Sequence, residues 1–134
     1  MSIFQASPWS ARMLSVFRIL VGLTFITSGT VKLFHYPPSP VPIPPIELMS
    51  QMGIGAIMEI VGGALIIIGL FTRPVSFILS GEMAVAYFQF HFPMGFFPVT
   101  NNGIPAVLFS FIFLYLMFAG GGPWSIDAML ARRR

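Results

Sequence analysis

Four apolar runs constrain this chain more than any other feature: Met13 to Phe34, Met52 to Phe71, Val75 to Phe92, and Gly103 to Ala119. Each is about the length that an α-helix needs to cross the roughly 30 Å hydrocarbon layer of a bilayer. The breaks between them are sharp. Tyr36-Pro37-Pro38-Ser39-Pro40-Val41-Pro42-Ile43-Pro44-Pro45 cannot be helical, because proline lacks the amide hydrogen and clashes with the preceding turn. It reads as an extended, polyproline-like connector. Thr72-Arg73-Pro74 is a tight hinge. Pro93-Met94-Gly95 ends the third run, Asn101-Asn102-Gly103 opens the fourth, and Gly120-Gly121-Gly122-Pro123 closes it.

Composition supports the same reading. Only 8% of the 134 residues are charged and mean hydropathy is +0.87, whereas soluble domains carry about 25% charged residues. Too few charges remain to cover a water-facing surface. The expected fold is therefore all-α, an integral membrane four-helix bundle forming a single domain over residues 1–134. Its first run holds Arg18 and lacks a small-x-small cleavage site, so it reads as a retained helix and not a signal peptide. Arg12, Arg73 and Arg132 to Arg134 fall on one side of four crossings, and Lys32 near the other. The positive-inside rule then places both termini in the cytoplasm of a multi-pass protein of the cell inner (plasma) membrane.

Several function classes are excluded or weakened. The formal charge of +3 comes without a basic stripe interleaved with aromatics, so no nucleic-acid partner is expected. The arginine cluster at the C-terminus suits an anionic lipid surface. With no cysteine, thiol–disulfide chemistry, thiolate metal sites and thioether-linked haem fall away. No phosphate-cradling glycine loop or nucleophile elbow is present. Ser125 is expected to cap a short interfacial helix running to Arg134, with Trp124 at the interface.

The informative residues are the ionisable ones inside the runs: Arg18, Lys32, Glu59 and Glu82. A charge in hydrocarbon is costly and normally turns inward to a partner. At about 100° per residue, Arg18, Gly22, Phe25, Gly29 and Lys32 share one helix face. Gly55, Glu59 and Gly63 share another, and Glu82, Ala86 and Gln89 a third. Small residues beside each charge let helices approach closely. Three helices should thus turn polar, small-residue faces toward one another. Depth along the helices suggests Arg18–Glu82 and Lys32–Glu59 as pairs, with sharing of Glu59 by Arg18 as the alternative. Such pairs can be purely structural, or can form a pocket for a proton or a quinone-like head group. His35 and His91, with Gln89 and Asn102, are candidates for its outer mouth. The two histidines match no metal-ligand spacing, and no metal is expected. By phase His91 lies opposite Glu82, although it sits in the breaking turn before Pro93.

Taken in order, the motifs resemble the DoxX family. They are Arg18-x3-Gly22-x6-Gly29-x2-Lys32-Leu33, Glu59-x2-Gly62-Gly63-x5-Gly69-Leu70-x-Thr72-Arg73, and Glu82-Met83-x2-Ala86. Asn102-Gly103 and Gly122-Pro123-Trp124-Ser125-Ile126-Asp127 follow. The resemblance implies a small four-helix membrane protein. It also implies a subunit or accessory of a membrane redox system, with quinone as the candidate cofactor. Some members look like parts of thiosulfate:quinone oxidoreductase or of complexes that handle oxidative or thiol stress. No self-sufficient catalytic motif is visible, so whether the chain is itself an enzyme stays open. The rival expectation is a non-catalytic subunit packing against a larger membrane protein complex. The lipid bilayer and either such a complex or further copies of the chain are the expected partners. One departure stands out: Ile104-Pro105-Ala106 lies where relatives often carry an acidic residue after Asn-Gly.

Overall fold

The structure is a computed structural model that describes residues 6–134. Among the described residues all regular structure is helical. The α-helices are α1 (Ser10–Phe34), α2 (Gln51–Ile68), α3 (Thr72–Ala86), α4 (Pro98–Asn101), α5 (Ile104–Ala119) and α6 (Ile126–Arg132). α3 continues through a π-helical turn, Tyr87–His91, into a 3-10 turn, Phe92–Met94. The third run therefore stays helical to its proline, but changes pitch near its end. Between α1 and α2 the proline-rich stretch has no regular structure.

Local chemistry sets the boundaries. Ser50 caps α2, its Oγ accepting from the Gly53 amide at 3.1 Å. Gly69 ends α2 in the left-handed region (φ 71°), and its amide donates to Leu65 O at 2.9 Å. The chain then reverses within a few residues. Asp127 caps α3 from a distance: its carboxylate oxygens accept the amides of Phe71 and Thr72, each at 2.8 Å. Ser125 caps α6 through Ala128 N at 3.0 Å, as expected.

α1 packs along α2, α3 along α5, and α2 along α3. Aromatic contacts link α1 to α5: Phe25 stands 4.8 Å from Phe113 and 5.2 Å from Phe109, centroid to centroid. Phe25, Ile66, Leu79, Phe113 and Leu116 form the centre of the core. α1 and α2 touch backbone to backbone. A methyl group at Gly29 would lie 2.5 Å from Ala56 O, and one at Gly22 2.9 Å from Ile67 N. Only glycine fits such a crossing.

Burial is inverted relative to a soluble protein. Ser15, Arg18, Glu59, Thr72, Ser76 and Asn101 are buried, while Leu20, Leu23, Phe77, Ile78, Phe111 and Phe118 are exposed on helix surfaces. Exposed apolar surface on this scale marks contact with lipid or partners. α1 and α2 are each long and apolar enough to cross a membrane; α5 is a shorter apolar helix. The start of α1, the α2–α3 turn and α6 meet at one end, through Trp124 N to Ser15 Oγ (3.0 Å) and Asp127 N to Gly69 O (2.9 Å).

Candidate functional site

A chamber of about 690 Å³ opens at the other end of the helices. α1 contributes Lys32, α2 Glu59, and α3 with its π turn Glu82 and His91. Met83, Met58, Ala106 and Phe109 help make its walls apolar.

Of the two ion pairs expected from depth, Lys32–Glu59 forms. Lys32 Nζ lies 2.9 Å from Glu59 Oε1 and 3.1 Å from Oε2. Glu59 is 2% exposed and Lys32 32% exposed, so the ammonium reaches in from the mouth to a buried carboxylate. Glu82 sits against α2 at Gly55, where an added methyl would lie 3.3 Å from its Oε1. Gly55 is one helical turn from Glu59, which brings the two carboxylates onto one wall. Glu82 Oε2 is buried without a hydrogen-bond partner. Buried polar atoms are nearly always partnered, so this orphan on a residue of the chamber lining points to something that the protein alone does not supply.

The π turn decides where His91 goes. A π turn advances each residue through a smaller angle than an α turn, so phase counted at 100° per residue fails beyond Ala86. His91 consequently lines the same chamber as Glu82 rather than the opposite face. Its Nδ1 is 3.0 Å from Asn101 O. A carbonyl only accepts, so Nδ1 carries the hydrogen, and in the neutral ring Nε2 is left as an acceptor. Asn101, buried, holds this corner together. Its Nδ2 donates to Gly95 O at 2.8 Å and to Tyr87 Oη at 3.3 Å, and its Oδ1 accepts from Gly103 N at 2.8 Å.

Other expected residues lie elsewhere. Arg18 does not meet Glu82. It is 1% exposed and donates to the carbonyls of Gly121, of Trp124 at 2.9 Å and of Ile67 at 3.4 Å. The last turn of α2 and the glycine-rich segment offer unpaired carbonyls there, and the negative end of a helix favours a cation. The carboxylate whose charge reaches it is that of Asp127, not Glu82. His35 borders a separate hollow with Pro38, Ser39 and Pro42. Asn102 is exposed at φ 60°, and its neighbour Asn101 carries the bonds. Gln89 pairs with Gln51 at the chamber's edge, its Nε2 donating to Gln51 Oε1 at 2.9 Å. Sequence reasoning missed Gln51 and Asn101. Asn101 had a usable signal in its place before a glycine that opens a helix. Among the described residues no three of His, Cys, Asp or Glu gather as metal ligands.

Comparison with known proteins agrees with the motifs. The DoxX family model matches residues 13–92. A protein of Haemophilus influenzae, described as an uncharacterized protein, is 41% identical over 117 residues, covering 85% of this chain and 87% of its own length. No solved structure matches the chain.

Proposed function

This chain belongs to the DoxX family, and from that premise we propose that it is a four-span inner-membrane accessory or subunit of a quinone-linked redox system. In this reading residues 1–134 form one membrane domain. α1, α2, α3 with its π continuation, and α5 cross the bilayer as a four-helix bundle. Both termini are cytoplasmic, beside Arg12, Arg73 and Arg132 to Arg134. The chamber then lies in the outer half of the membrane, with the proline-rich connector above it.

The observation that carries the reading is the unpartnered Glu82 Oε2 in a chamber that also holds a cation and an imidazole. A quinone head ring has two carbonyl oxygens that accept hydrogen bonds, and its reduced form has two hydroxyls that donate them. Lys32 supplies a donor. Glu82 and His91 Nε2 supply acceptors, so both forms find partners in the chamber lining. Flat apolar surface from Phe109 and the methionines suits the ring, since ligand pockets combine apolar walls with a few placed polar groups. Bound quinone would supply the electron-carrying chemistry. The chain's own residues would orient the ring and hold or release protons at its oxygens. In this reading the chain works beside a partner that bears a redox centre.

Equilibrium binding of a quinone to the purified protein in nanodiscs tests this. Glu82→Leu should weaken binding by about tenfold, the loss of one hydrogen bond, while the protein stays folded. Unchanged affinity would remove the chamber from consideration. It would leave the rival reading, a structural subunit packed by its apolar exterior against a larger complex.

A further inference from the structure

A second hollow adjoins the chamber along the α2–α3 seam. Met58 on α2 lines both the chamber and this hollow of about 290 Å³. That hollow runs toward the Arg18 end, between Ile57, Val61 and Leu65 on one side and Val75 and Ile78 on the other. Every residue lining it is apolar or glycine. Ile57, Val61 and Ile78 are also exposed on the outer surface, so it is a slot open to the surroundings and not a sealed void. Gly81 on α3 is exposed and lines the chamber, and a methyl added there would meet nothing within 4 Å. Elsewhere glycines bring these helices together, as at Gly62, where a methyl would lie 2.8 Å from Leu79.

A chamber bearing charged groups beside a wholly apolar slot, with Met58 bordering both, suits an amphipathic ligand. We infer that the α2–α3 seam holds the long apolar side chain of a quinone whose head ring occupies the chamber. This rests on the quinone reading and specifies it: the substrate class is lipid-soluble, chain-bearing quinones and not free head rings. Three features support it. The slot adjoins the chamber, with Met58 bordering both. Its direction is toward the middle of the helices, where a chain anchored by a head near one membrane face must run. Ile57, Val61 and Ile78 on its rim are exposed, so the ligand can enter from lipid without crossing water. A thioether side chain such as Met58 can adapt its shape to a chain of variable conformation.

Two probes separate this inference from the reading beneath it: a benzoquinone bearing a decyl chain, and the same ring with no chain. Binding to the full-length protein in nanodiscs is measured above that to empty nanodiscs. The chain should raise affinity at least about tenfold, given the apolar area that it buries. Val61→Trp, which fills the slot from a lipid-facing position, should erase that gain and leave ring binding unchanged. Leu65→Trp, which fills the slot nearer the Arg18 end, should weaken the chained probe more than the ring. Thermal unfolding of both variants at the native temperature shows that they fold. Equal affinity of the two probes for the native protein, or equal losses of both in Val61→Trp, would overturn the seam while leaving the chamber. Failure of both probes to bind would overturn the quinone reading, and the seam with it.

Discussion

Lys32→Met is the perturbation whose cost follows most directly from geometry. The ammonium makes two short contacts, 2.9 and 3.1 Å, to a carboxylate that is 2% exposed. Removing one member of a fully buried ion pair costs about 3–5 kcal/mol, because the other is left without compensation. Exposed pairs are worth only about 0–1 kcal/mol. Lys32 is about one-third exposed, so screening at its end reduces the upper figure, and we expect a loss of about 2–3 kcal/mol. Adding Glu59→Met should recover most of it, since an apolar pair of similar volume removes the buried charge as well. It also removes a like charge from beside Glu82. Denaturant-driven unfolding in mixed micelles, run on both single variants and the double, gives the coupling energy. A coupling near 2 kcal/mol is expected. A Lys32→Met protein as stable as the native chain would mean that Glu59 does not depend on Lys32, and would refute the reasoning.

Two further predictions concern the helix crossings and the number of spans. Gly29→Ala places a methyl 2.5 Å from Ala56 O, which is backbone and cannot rotate away; a loss of about 1–3 kcal/mol is expected. Gly81→Ala, with open space around it, should instead gain about 0.5–1 kcal/mol from helix propensity, and equal midpoints for the two in thermal unfolding would contradict the packing. Because the chain has no cysteine, single cysteines report sidedness without background. Ser39→Cys should react with an impermeant maleimide from outside the inner membrane, and Arg134→Cys only after permeabilisation; labelling of both from one side would rule out the proposed topology.

What could be read from the residues follows the reach of each rule. Helical phase and depth were enough to join Lys32 to Glu59, because both lie in regular helices joined by one connector. The same reasoning failed for Arg18. Its partners are backbone carbonyls of Ile67, Gly121 and Trp124, and every residue type has a carbonyl, so nothing in the letters marks those three. Only the phase of His91 relative to Glu82 went astray, through the π turn, whose register shift has no sequence signature comparable to a capping box; the residue lines the chamber, as a candidate for its mouth. The helix starts differ by a few residues, with α1 beginning at Ser10 rather than Met13, since fraying and capping set such boundaries. Asn101 rather than Asn102 proved to be the organising side chain. Both tolerate the turn, and only the packing of Tyr87 and the Gly95 carbonyl selects between them.

The quinone chamber is tested most directly by mapping where a quinone sits. A photoreactive benzoquinone analogue, irradiated with the protein in native-like bilayers and traced by peptide mass spectrometry, reads out the contact residues. Adducts concentrated on the peptides carrying Met58, Glu82 to Ala86 and His91, and lost on competition with unlabelled quinone, are the expected result. Adducts spread over the lipid-facing residues of α5, such as Phe111 and Phe118, and indifferent to competitor would contradict it.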